Sequence, residues 1–158
     1  MKIIDNFIDD PKIFTALQEI LLSDKFSWFY SEGVANNKDN SDYYFFHRLF
    51  EDNYLSNAFD LCHPLIGRLQ FNKLLRAKIN CYTKKEKQIQ HNFHTDFTKP
   101  HKVALYSVNT NNGYTLFETG EKIDSVANRC VIFDGKHKHC SVTQNDVNLR
   151  INININFI

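Results

Sequence analysis

The apolar positions of this chain repeat with two different periods, and the change falls near residue 73. Before it, Ile13, Leu17, Ile20 and Leu21 recur at the spacing of one helical face. Asp10 suits an N-cap and Pro11 the first helical position, so a helix is expected over about 11–22. A second helix is expected from Ser56, with Phe59, Cys62, Ile66 and Leu69 on its apolar face and Pro64 bending or delaying it. Residues 26–50 are rich in aromatics and are interrupted by Asn36, Asn37, Lys38, Asp39 and Asn40. That interruption predicts a loop flanked by short extended pieces.

From residue 73 on the period is two. Leu75, Ala77, Ile79 and Cys81 alternate with Arg76, Lys78, Asn80 and Tyr82, as on a strand with distinct faces. Residues 93–97, 103–109, 114–118, 129–133 and 148–157 also read as strands. Asn111, Asn112 and Gly113 mark a turn between two of them, and Asp134 with Gly135 ends another. The expected fold is therefore mainly β with N-terminal helices (α+β). Helical support over about 1–72 backs a jelly-roll core over about 73–158, in one domain spanning 1–158.

The last strand says most about function. Ile151, Ile153, Ile155 and Phe157 share one face, and Arg150, Asn152, Asn154 and Asn156 the other. The apolar face is expected to pack on the helices. The polar face either looks into a wet or ligand-filled interior or lies against solvent on an open sheet; the strand alone weighs these equally. Inside a barrel, an arginine needs an anion, and its planar fork suits a carboxylate. Whether this strand is a sheet edge stays open, as does the oligomeric state.

Composition narrows the classes. Hydrophobic residues make up 42% of the 158 and charged residues 23%, the balance of a soluble globular chain. A formal net charge of +1 gives no reason to expect nucleic acid or an anionic membrane as partner. The densest charge run, Lys84 to Lys87, reads as a solvated loop. No segment reaches the ~18–20 apolar residues of a membrane span, and Asp5, Asp9 and Asp10 interrupt any leader-like apolar run. Cys62, Cys81, Cys130 and Cys140 form no CxxC pair, so free thiols in a reducing cytoplasm are expected.

Candidate chemistry sits in the second half. His94 and Asp96, two apart on a strand, would point to one face and could share an ion. His139 follows a strand and a turn, so a hairpin could return it to that pair. Two histidines and one carboxylate leave three octahedral positions open, the arrangement of non-haem Fe(II) oxygenases. His137 would face the same way as His139 and is the competing third ligand. His47, His63, His91 and His101 have no partner at a useful spacing and read as surface or ordinarily hydrogen-bonded histidines.

Taken together, residues 76–82, 93–96, 109–115 and 128–135, with His139 and residues 150–154, resemble in order and spacing the double-stranded β-helix core of the Fe(II)/2-oxoglutarate-dependent oxygenases. The likeness is to the prolyl-hydroxylase-like branch, including small versions common in phage and marine bacterial genomes. The resemblance implies iron bound by His94, Asp96 and His139, with His139 favoured over His137 by its distance from the Gly of the turn. It implies Arg150 on the distal carboxylate of 2-oxoglutarate, and Tyr82 offering a phenol to that co-substrate. Ser107 stands where some relatives carry a Tyr or Thr touching the same carboxylate, and Asn80 and Asn152 are further barrel-facing candidates. The implied activity couples O2 and oxidative decarboxylation of 2-oxoglutarate to hydroxylation of a small-molecule or peptidyl substrate, in the cytoplasm (a host's, if the chain is phage-encoded). Two rivals share the fold: a metal-bearing cupin-like or lectin-like binding module, and a metal enzyme without 2-oxoglutarate. Neither needs an inward Arg150, and the second often uses three His and a Glu, a set not found here.

Overall fold

The structure, a computed structural model, describes residues 1–34 and 42–158; the loop expected over 36–40 lies outside them. Helix α1 (Pro11–Leu22) forms as the periodicity predicts. The Asp10 carboxylate accepts from the Lys12 amide at 2.8 Å, satisfying an amide that the first turn leaves free. Its inward face is Phe14, Leu17 and Leu21, whereas Ile13 and Ile20 remain exposed. The apolar stripe is thus turned from the one expected.

The second helix is much shorter than expected. A 3-10 turn over Phe59–Cys62 is followed by α2 (His63–Ile66), with Pro64 at its start and Gly67 at its end. Proline has no amide to continue the preceding turn, so the helix restarts there instead of running through. Cys62, Leu65 and Leu69 still reach the core.

Among the described residues the first half also holds four strands, two of them where short extended pieces are expected within 26–50. It contributes β1 (Lys2–Ile4), β2 (Phe29–Glu32), β3 (Tyr43–Glu51) and β4 (Tyr54–Leu55). The aromatic run of β3 fits a pleated, half-buried surface better than a helix. The second half supplies β5 (Leu74–Thr83), β6 (Lys102–Ser107), β7 (Tyr114–Phe117), β8 (Lys122–Asp124), β9 (Arg129–Asp134), β10 (His139–Val142) and β11 (Leu149–Phe157).

These strands form two antiparallel sheets. The larger runs β1-β9-β6-β11-β5-β3-β2, with β4 beside β3; the smaller runs β10-β7-β8. The result is a jelly roll backed by helices, as the alternating patterns imply. The final strand is no edge: β11 lies between β5 and β6. Its apolar face, Ile151, Ile153, Ile155 and Phe157, joins the core that includes Leu17, Leu21 and Leu65. A second apolar cluster, Val103, Phe117, Ile123, Val131 and Phe133, lies between the two sheets.

Two connections differ from the hairpins that their turn residues suggest. Both the Asn111–Gly113 turn and the Asp134–Gly135 turn lead from a strand of the larger sheet to a strand of the smaller one. Residues 93–97 do not form the expected strand either. They make one antiparallel bridge, His94 to His139, with each amide bonded to the other's carbonyl at 3.0 Å. Polar residues from Lys84 to Asn92 and Pro100 flank this piece, and neither side offers apolar alternation to sustain a ladder.

Candidate active site

A cavity of about 700 Å3, counting its open mouth, lies between the inner faces of the two sheets. Arg76, Lys78, Asn80 and Tyr82 of β5 and Arg150, Asn152 and Asn154 of β11 form one wall. His139, Cys140 and Ser141 of β10 and Thr115 of β7 form the other, and His94, Thr95 and Asp96 close one end. The period-two alternation of β5 and β11 causes this: every second residue must face the interior between sheets.

His94, Asp96 and His139 come together. Their ligand atoms all lie within 4.8 Å of one another, and the two imidazole rings are 4.8 Å apart. The His94–His139 bridge sets this spacing from the backbone. His137 belongs to the turn before β10 and takes no part in the cluster. The set fits a divalent ion: two imidazoles and a carboxylate, with one open side toward the cavity. Burial, with repulsion from His139, pushes the His94 imidazole down to about 4, so it stays neutral and ready to bind a metal near pH 7.

Asp96 is held firmly. Arg76 donates to its Oδ1 at 2.6 Å, while the amides of Asn156 and Asn154 donate to Oδ2 at 2.9 and 3.1 Å. Arg76 is itself fixed by the Asn156 carbonyl at 3.1 Å. Burial alone would raise this carboxyl, but the Arg76 guanidinium and the amides outweigh it and hold the group well below the usual carboxylate range. The carboxylate therefore stays charged and oriented. The polar face of β11 carries the signal for Asn154 and Asn156, yet their partner lies in a segment remote in sequence.

At the other end of the cavity Arg150 is only 2% exposed. Its Nε donates to Ser125 Oγ at 3.0 Å and its Nη1 to Ser141 Oγ; its guanidinium lies 5.3 Å from the Tyr82 ring centroid. Among the described residues no carboxylate pairs with it. A buried guanidinium without a counter-ion is costly, and burial pushes its proton affinity down. Burial also pushes the Tyr82 phenol up to about 12, so it is a neutral hydroxyl. Gly113 makes room for Arg150: an added Cβ there would come within 2.7 Å of Arg150 Cδ.

Of the remaining candidates, Asn80 and Asn152 line the cavity and bond to each other at 2.9 Å. Ser107, by contrast, is not among the lining residues; Ser125 and Ser141 contact Arg150 instead, and nothing in their sequence surroundings singles them out. His47 bonds to the Ser27 carbonyl and Ser56 hydroxyl, and His91 to Asp42, as ordinary hydrogen-bonded histidines do. All four cysteines are buried and free. Among the described residues no helix is long and apolar enough to cross a membrane.

No family model and no curated protein sequence matches the chain. Solved structures do. A prolyl hydroxylase from Trichoplax adhaerens, in complex with a hypoxia inducible factor oxygen degradation domain peptide fragment, superposes with TM-score 0.64 at 14% identity, over 99% of this chain and 82% of that one. A Pseudomonas putida prolyl-4-hydroxylase gives TM-score 0.64 at 12% identity, over 99% and 90%. An oxidoreductase of the 2OG-Fe(II) oxygenase family from Burkholderia pseudomallei gives 0.62 at 12%, over 90% and 76%. The chain shares the jelly-roll fold of these oxygenases.

Proposed function

We propose that this chain is a non-haem Fe(II) oxygenase that uses 2-oxoglutarate and O2 and hydroxylates its substrate. One observation carries the reading: a buried guanidinium with no carboxylate partner among the described residues shares a cavity with a preformed cluster of two histidines and one aspartate. Arg150 supplies a charge and a planar fork for one carboxylate; the cluster supplies a metal for the oxo-acid end of the same ligand. The fold shared with 2OG-Fe(II) oxygenases supports this, but the site residues themselves carry it.

In this reading His94, Asp96 and His139 would hold the iron, and Arg150 would pair with the distal carboxylate of 2-oxoglutarate, assisted by the neutral Tyr82 hydroxyl. Asn80 and Asn152 line the path between. Iron, when bound, supplies the activation of O2 coupled to decarboxylation of the oxo acid. The chain's own residues bind, orient and exclude water. Arg76, Asn154 and Asn156 keep Asp96 ionised and turned to the metal. Ser125 and Ser141 hold the guanidinium in place. Prolyl hydroxylases among the structural neighbours make a prolyl or peptidyl substrate one candidate, beside a small metabolite.

The test is anaerobic titration with Fe(II) and then 2-oxoglutarate, following the weak visible charge-transfer band of the chelate. The wild type is expected to develop the band, and Arg150→Ala to require at least ten-fold more 2-oxoglutarate. Iron binding with no response to 2-oxoglutarate would overturn the oxygenase reading in favour of a metal-bearing binding module.

A further inference from the structure

Charge is unevenly distributed in this cavity. Among the described residues its lining carries three cationic side chains, Arg76, Lys78 and Arg150, against a single carboxylate, Asp96. Arg76 is committed to Asp96. Resting on the function proposed above, Arg150 is committed to the distal carboxylate of the co-substrate. Lys78 is left over.

Lys78 is half-buried and has no ion-pair partner among the described residues. It stands on β5 between Arg76 and Asn80 and lines the same cavity as His94 and Asp96. Its Nζ donates to the Tyr44 hydroxyl at 3.2 Å and lies 5.3 Å from that ring's centroid. Tyr44 and Val34 belong to the first half of the chain and line the same side of the cavity. Arg150, further along the same wall, has other partners, Tyr82, Ser125 and Ser141. An ammonium so placed keeps two N–H groups free, and the Tyr44 hydroxyl, accepting from Lys78, keeps its own proton to donate.

We propose that Lys78 and Tyr44 form the substrate subsite, and that the substrate is a small molecule with a free carboxylate close to the carbon that reacts. One carboxylate oxygen takes the Lys78 ammonium and the other the Tyr44 hydroxyl. A lone ammonium beside one hydroxyl matches a singly charged carboxylate better than a dianionic phosphate. The interior of a peptide bears no carboxylate at a prolyl residue and would leave Lys78 uncompensated. The same cavity must also hold the co-substrate, which favours a small acid over a folded partner.

The experiment uses the anaerobic Fe(II)–2-oxoglutarate complex of the full chain. Free L-amino acids and simple monocarboxylic acids are titrated against their own carboxamides and N-acetyl-L-prolinamide, reading the shift of the visible band as substrate approaches the iron. At least one acid is expected to shift the band while its carboxamide does not. Lys78→Met should raise its half-saturation ten-fold or more, Tyr44→Phe, which removes only a hydroxyl, by a smaller factor, and Lys78→Arg should retain the response. The half-saturation for 2-oxoglutarate should be unchanged in both Lys78 variants. Equal responses to acid and amide, no response to any acid, or a Lys78→Met effect on 2-oxoglutarate itself would each overturn the subsite while leaving the co-substrate reading standing. Absence of the band in the wild type would instead remove the reading on which the subsite rests.

Discussion

At the level of single residues, protonation decides whether the cluster can take a metal. His94 is kept neutral to about pH 4 by burial and by His139, and His91, buried beside Asp42, is also shifted down. Unfolded histidines titrate at about 6.5. Below that pH the unfolded chain takes up protons that the folded chain refuses, so metal-free protein loses stability as the pH falls from about 6.5 toward 4. Asp96 and Asp42 act lower, because their depressed carboxyls cost stability only below the ordinary carboxylate range. Urea midpoints of metal-free protein are expected to be lower at pH 5 than at pH 7.5; equal midpoints would mean that these imidazoles are not held neutral. These individual roles were partly legible. Arg150 stood out because an inward arginine demands an anion, whereas Ser125 and Ser141 had no pattern to mark them.

At the level of elements, β5 and β11 carry the cavity wall, and one turn regulates the space that its arginine occupies. Gly113 precedes β7, and a Cβ there would meet Arg150 Cδ at 2.7 Å, Asn111 Oδ1 at 2.9 Å and the Val142 carbonyl at 3.0 Å. The last of these is backbone and cannot swing away, so the strain passes to Arg150. Gly113→Ala is expected to weaken 2-oxoglutarate binding at least ten-fold and leave Fe(II) binding intact, as read by the same anaerobic titrations. An unchanged half-saturation would show that Arg150 relaxes freely. The alternation in β5 and β11 was readable because a strand between a core and a cavity must alternate. The segment holding His94 and Asp96 was not: a single bridge to β10, not a ladder, sets those side chains.

At the level of the whole molecule, the proposed metal would tie the two sheets together at one end of the cavity. His139 lies on the smaller sheet, while Asp96 is gripped by Arg76, Asn154 and Asn156 of the larger one. A metal bound only by the folded chain stabilises it by mass action, about 2.7 kcal/mol at one hundred times the dissociation constant. Anaerobic Fe(II) is therefore expected to raise the melting temperature of the wild type and of His137→Ala, and not that of His139→Ala. A retained shift in His139→Ala with loss in His137→Ala would reverse the choice of distal ligand.

The sequence by itself determined what depends on local periodicity and on chemical necessity. It set the α1 cap, the two-faced strands β5 and β11, the jelly-roll class and the face of β11 that carries Arg150. Only the tertiary structure decided which strands neighbour one another and which residues remote in sequence meet. It made β11 central, carried the chain from one sheet to the other at Gly113 and Gly135, and brought Arg76 to Asp96 and Tyr44 to Lys78. The physical reason is that alternation specifies which face a side chain occupies, whereas its partner depends on sheet order and register, which are settled by packing across the whole core.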